Sequence, residues 1–184
     1  MAKMNIKTTE DILLLLCNSV QNVLQIATQS PILYSHIVQR INKTCLRPDI
    51  GCFVMIEGGF SALVVMNFSS EAAMEIYKKY MVSMGMPEKE LAKLYTSDDV
   101  SNSLGELMNQ IVGNFQAEVK KEFQVTVKQN QPKMIVINKE LMISIDAKLD
   151  NPQYRKVAFE TQNHRPFYVE LSMEKTEFAP FFPE

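Results

Sequence analysis

The chain has 184 residues, 46% hydrophobic and 22% charged, a size and balance that fit one globular domain with a sizeable core. A net charge of −2 with scattered Lys and Arg argues against nucleic acid as a partner. Three cysteines without a C-x-x-C pair, and two histidines far apart, leave neither a disulfide framework nor metal-ligand spacing.

Thr8 or Thr9 caps the first predicted helix, with Glu10 and Asp11 in its first turn. Ile12, Leu13, Leu16, Val20, Val23, Leu24 and Ala27 recur at helical spacing, and Ser30-Pro31 ends the run. The continuous apolar stretch Ile12–Cys17 is too short to span a bilayer. It follows acidic residues, and no small-residue cleavage site comes after it. The expectation is a cytoplasmic helix, with no membrane partner. Ile32–Ile41 is ambiguous, a strand being one reading, and Pro48-Asp49 with Gly51 mark a loop.

Cys52–Glu57 and Phe60–Phe68 are rich in Val, Ile and Phe, with Gly58-Gly59 between them as a two-residue hairpin link. Ser69 or Ser70 caps a second helix running to about Met84, stopped by Gly85 and Pro87. The polar connection Glu88–Asp99 has room for a short helical turn. A long third helix, about Asp98–Phe123, opens on Ser97 or Asp98. Lys133–Ile137, Leu141–Leu149, Arg155–Thr161 and Pro166–Met173 read as strands, with Asn163-His164-Arg165 as the last hairpin turn. Lys78-Lys79 and Lys120-Lys121 read as solvated helix faces. His36 and His164 read as structural or exposed. The pattern predicts a single α/β domain of the α+β type over 1–184, in two loosely similar halves of a long helix and a hairpin. Residues 175–184 form an extended tail, and Phe181-Phe182 within it is expected to pack on its own domain.

Chemistry concentrates on the third helix. At 100° per residue, Leu104, Leu107, Met108, Ile111, Val112, Phe115 and Val119 form one apolar stripe. Glu106, Asn109 and Gly113 fall opposite its centre, with Glu106 and Asn109 neighbours one turn apart. Asn102 and Gln110 flank them, so Gly113, Asn102 and Gln110 are candidate partner-binding positions. An interior helical Gly costs about 1 kcal/mol relative to Ala, and a bare backbone at Gly113 lets a partner approach closely. No Gly-rich phosphate loop, G-x-S-x-G or H-E-x-x-H occurs.

The stretch Leu104–Phe115 closely resembles the E-x-x-N-x-x-x-G signature of the CheC/CheX/FliY chemotaxis phosphatases, with the single-site CheX-like branch nearest. The Gly58-Gly59 hairpin before a Ser-capped helix, the Pro132–Ile137 strand and the Phe159–Met173 hairpin fall in that family's order, so the resemblance covers nearly the whole chain. It implies a CheC-like fold of two long helices packed on a mainly antiparallel sheet, with pseudo-two-fold halves. It implies a phosphatase acting on the aspartyl phosphate of a CheY-like receiver domain. Asn109 is then the catalytic residue that positions a water, and Glu106 the catalytic partner pairing with the receiver's lysine. No cofactor of its own is expected, Mg²⁺ being supplied by the receiver, and a homodimer is expected. Double-site members repeat the signature on the first helix. Here Leu15, Asn18 and Asn22 stand at the corresponding places, so one active face per chain is expected. A non-catalytic module that binds a receiver or another signalling protein carries the same residues, as does a structural domain with a fortuitous motif.

Overall fold

A computed structural model describes residues 6–180. Its elements in order are α1 (Thr9–Thr28), β1 (Ile32–Tyr34), β2 (Gln39–Arg40), β3 (Thr44–Leu46), β4 (Ile50–Gly58), β5 (Ala62–Phe68) and α2 (Ser70–Ser83). A single 3₁₀ turn at Glu88–Glu90 leads to α3 (Asp98–Phe123), β6 (Val127–Gln129), β7 (Lys133–Val136), β8 (Ile143–Ile145), β9 (Pro152–Thr161) and β10 (Pro166–Glu174). The helix starts are set locally. The Thr8 N–H donates to Asp11 Oδ2 at 2.7 Å, and Ser69 Oγ accepts from the Ala72 N–H at 3.1 Å. Gln29 and Gln124 close α1 and α3 in the left-handed region.

The main sheet is antiparallel throughout, in the order β1-β9-β10-β5-β4-β6, with β2 also on β9 and β7 also on β4. Swapping the two halves of the chain reverses this order onto itself. The hairpin β4–β5 matches β9–β10, and the short strand after each long helix edges the other half's hairpin. The halves foreseen from sequence are therefore real, but interlocked rather than side by side.

One face of the sheet carries the helices. The α3 stripe from Leu104 to Val119 is buried there against Ile12, Leu16, Val20 and Leu24 of α1 and Val54, Val64 and Val169 of the strands. That burial explains why α1, long and apolar enough to cross a membrane by length and composition, carries so many apolar residues. Cys17, Cys45 and Cys52 are buried and unpaired, and burial raises the thiol pKa of Cys17 and of Cys52 to about 12.

The other face is covered by the two-stranded ribbon β3–β8, over Leu46, Leu63, Val65 and Ile137. Two buried polar side chains tie the ribbon down. Asn67 accepts from the Arg47 N–H at 2.7 Å and donates to the Cys45 carbonyl at 2.9 Å. The wholly buried Glu170 accepts from the Cys45 N–H at 2.9 Å, with Arg47 Nε 3.7 Å away, and burial raises its carboxyl pKa.

Several expectations are corrected. The Gly58-Gly59 link is not a two-residue turn. Ile56 pairs with Ala62, so the loop spans Glu57–Ser61, and of the two glycines only Gly58 has a positive φ, 132°. A Cβ on Gly58 would lie 2.5 Å from the Thr126 carbonyl oxygen, and one on Gly59 2.7 Å from Val125 Cβ. The glycines are there because the approach to β6 crosses them. Gly51 lies within β4, where a Cβ would lie 2.7 Å from Leu46 Cδ2, and not in a loop. Leu141–Leu149 yields only β8, because its partner β3 is itself three residues long. Of the tail, Phe178 packs edge-on against Phe60 and Phe123 and bridges to Lys7, while Phe181-Phe182 lies outside the described residues.

Candidate functional site

The capping and periodicity that place α3 also decide which side chains it shows to solvent. Asn102, Glu106, Asn109, Gln110 and Gly113 are all exposed, away from the buried stripe of α3 and alongside the sheet edge at β6–β7. A shallow groove opens beside them, between Asn102, Glu106 and Asn109 on α3 and Gln131 and Pro132 of the β6–β7 connection with Lys133 at the start of β7. Lys133 is exposed and supplies a cation at the groove's rim. A roomier hollow lies between the C-terminal ends of α1 and α2, lined by Gln29, Lys78, Lys79 and Ser83, away from this face. Among the described residues no group of three or more His, Cys, Asp or Glu is placed to hold a metal ion.

The two central side chains are held by Tyr80 and Gln129, which sequence reasoning missed, together with Gln110, which it named. Tyr80, near the end of α2, donates its hydroxyl to Glu106 Oε1 at 3.2 Å. Gln110 Nε2 reaches the same Glu106 oxygen at 3.4 Å and the Tyr80 hydroxyl at 3.5 Å. Tyr80 is 6% exposed, and burial, reinforced by the Glu106 charge, raises its hydroxyl pKa. The phenol therefore stays protonated and remains a donor under Glu106. On the other side, Gln129 Nε2 of β6 donates to Asn109 Oδ1 at 3.0 Å. A buried tyrosine hydroxyl requires a partner, which is the one local signal that Tyr80 offers. Gln129, on a three-residue strand, offers none.

Gly113 stands in open space, since a Cβ built there meets nothing within 4 Å. Propensity is then the only term left, so Gly113→Ala should stabilise the chain by up to ~1 kcal/mol. A shift of the urea midpoint to higher concentration at unchanged slope reads this. A lower midpoint would mean that the position is packed by the chain itself.

The first helix carries no second copy of this arrangement. At the register expected from sequence, Leu15, Asn18 and Asn22 stand in the places of Glu106, Asn109 and Gly113, so α1 lacks both the carboxylate and the bare backbone. Asn18 is half-buried and accepts from the Tyr34 hydroxyl at 2.8 Å.

A family model described as protein of unknown function (DUF3334) matches residues 3–181. No curated protein sequence matches the chain. Among solved structures, a chemotaxis protein CheX from Desulfovibrio desulfuricans superposes with a TM-score of 0.74 at 20% identity, over 89% of this chain and 99% of that one. A CheC-like superfamily protein from a Shewanella species gives 0.72 at 16% identity, over 89% and 97%. The CheX of Borrelia burgdorferi, solved in complex with CheY, BeF3 and Mg²⁺, gives 0.63 at 13% identity, over 90% and 99%. The fold is thus the α+β fold of the CheC and CheX proteins, as the resemblance of Leu104–Phe115 implied.

Proposed function

We propose that this chain, which belongs to the family described as protein of unknown function (DUF3334), is a cytoplasmic phosphatase of a CheY-like receiver domain. The observation that carries the proposal is the Glu106–Asn109 pair. The two side chains stand one turn apart on an exposed helical face, each held by a neighbour, beside a shallow open groove. Support comes from the shared fold with CheX proteins, one of them solved bound to CheY with BeF3 and Mg²⁺.

A receiver's aspartyl phosphate is an acyl phosphate, reactive without a further nucleophile. The receiver brings the Mg²⁺ and the lysine that neutralise charge on the phosphoryl group. What remains is to hold a water in line with phosphorus, a matter of positioning and electrostatics. Asn109 takes that role, its carboxamide fixing the water without becoming covalent. The water oxygen bonds to phosphorus as the bond to the aspartyl carboxylate breaks. Inorganic phosphate leaves, and the receiver's carboxylate is regenerated. Glu106 pairs with the receiver's lysine and sets the register between the two surfaces. Asn102, Gln110 and the bare backbone at Gly113 complete the contact, so Gly113→Ala should weaken receiver binding while it stabilises the helix.

Phosphate release from phosphorylated receivers, compared with and without this protein, tests the reading. Acceleration supports it. Binding without acceleration replaces it with a non-catalytic receiver-binding module, and the absence of both overturns the receiver as a partner. The proposal includes a homodimer, motivated by the open sheet edges at β1–β2 and β6–β7, where Leu33 and Val136 are exposed. Sedimentation velocity at micromolar concentration should show a dimer, and a lone monomer peak would overturn that part.

A further inference from the structure

We infer that Gln129 is a positioning residue for Asn109, an inference that rests on the proposed phosphatase reading. An exposed asparagine on a helix turns freely about two side-chain bonds, and a water held by a wandering carboxamide is not held in line. Gln129 removes that freedom. Its Nε2 donates to Asn109 Oδ1 at 3.0 Å, and its own Oε1 accepts from Gln116 Nε2 at 3.5 Å. The three amides form a short donor chain, Gln116 to Gln129 to Asn109. The chain takes up the oxygen of Asn109 and leaves its NH₂ group as the free end. The water is accordingly held by donation from Asn109 Nδ2 to its oxygen, with one oxygen lone pair still free for phosphorus.

Gln129 can act as a prop because its backbone is fixed. It pairs with Ile56 of β4 while Val127, two residues earlier, pairs with Gly58. Gln129 is itself half-buried. The other half of the fold repeats the device. Tyr34, the third residue of β1, donates its hydroxyl to Asn18 Oδ1 on α1 at 2.8 Å. Gln129 is likewise the third residue of β6. The third residue of the strand after each long helix thus reaches back to an asparagine on that helix. Only on α3 does that asparagine stand exposed beside the groove.

The test uses Gln129→Met, which keeps length and loses the donor, and Gln129→Glu, which can only accept and so turns the Asn109 NH₂ inward. Both should lower turnover at saturating phosphorylated receiver by roughly 10- to 100-fold. Receiver affinity and thermal midpoint should stay at the parent values. The side-chain NH₂ resonances of Gln129 should move in Asn109→Ala, and those of Asn109 in Gln129→Glu, a signature independent of activity. An active parent with Gln129→Met turning over at its rate overturns the inference alone. Turnover, affinity and stability falling together also overturn it, because Gln129 would then merely hold β6 in place. A parent that releases no phosphate, with the resonance shifts present, overturns the phosphatase reading and leaves the amide contact standing. Absent shifts overturn the contact itself.

Discussion

Asn109→Ala should leave the folded chain and its affinity for a phosphorylated receiver nearly unchanged, and reduce phosphate release by about 100-fold or more. The side chain is exposed, so its truncation is worth roughly 0.5 kcal/mol or less in stability. The hydrogen bond it loses is to Gln129, which is only half-buried and can turn to water. Glu106 behaves differently, because Tyr80 lies beneath it. Glu106→Ala removes the acceptor of a part-buried hydroxyl and should cost about 1 kcal/mol. Glu106→Gln is the cleaner variant, since it keeps an acceptor for Tyr80 and removes only the charge. It should weaken receiver affinity as well as turnover, by an amount that grows as salt is lowered. Turnover and affinity measured separately for both positions decide the matter. Full turnover in Asn109→Ala refutes the water-holding role, and unchanged affinity in Glu106→Gln refutes the charge contact.

Gly58→Ala should be among the most damaging single substitutions in the chain, costing roughly 2–5 kcal/mol. Two causes add. The backbone there has φ 132°, which side-chain-bearing residues rarely adopt, and the new methyl would fall 2.5 Å from a backbone oxygen that has no side-chain freedom to retreat. Relief requires Thr126–Val127 to withdraw, which unpairs β6 from β4 and carries Gln129 away from Asn109. The same substitution at Gly113 is expected to stabilise. Chemical denaturation of the two variants side by side therefore measures opposite signs for one chemical change. A Gly58→Ala variant as stable as the parent would mean that β6 does not lie where it is described.

The contrast between these two glycines shows what the sequence could reveal. The bounds of α3, its buried stripe and the exposed placement of Glu106, Asn109 and Gly113 were readable because caps and helical periodicity are local properties. So were α1, α2 and the long hairpin strands. The strands β3 and β6 were not, because each is three residues long and exists only where a distant strand meets it, and β8 is only the core of the longer run Leu141–Leu149 for the same reason. Gly58-Gly59 marks a special backbone in the sequence and suggests a turn, whereas its cause is a crossing chain at Val125–Val127. Tyr80 and Gln129 come from elements far from the motif in sequence. Their relation to Glu106 and Asn109 arises only when α2 and β6 pack beside α3.

The site's location on α3 has a kinetic consequence. Glu106 and Asn109 lie within the 26-residue α3, whose backbone hydrogen bonds are internal and whose opposite side is anchored in the core. Docking on such a surface needs no segment to fold or close first. Association with a receiver should proceed as one bimolecular step, with an observed rate linear in receiver concentration and no plateau. Most of the affinity lost in the face variants should then appear as faster dissociation.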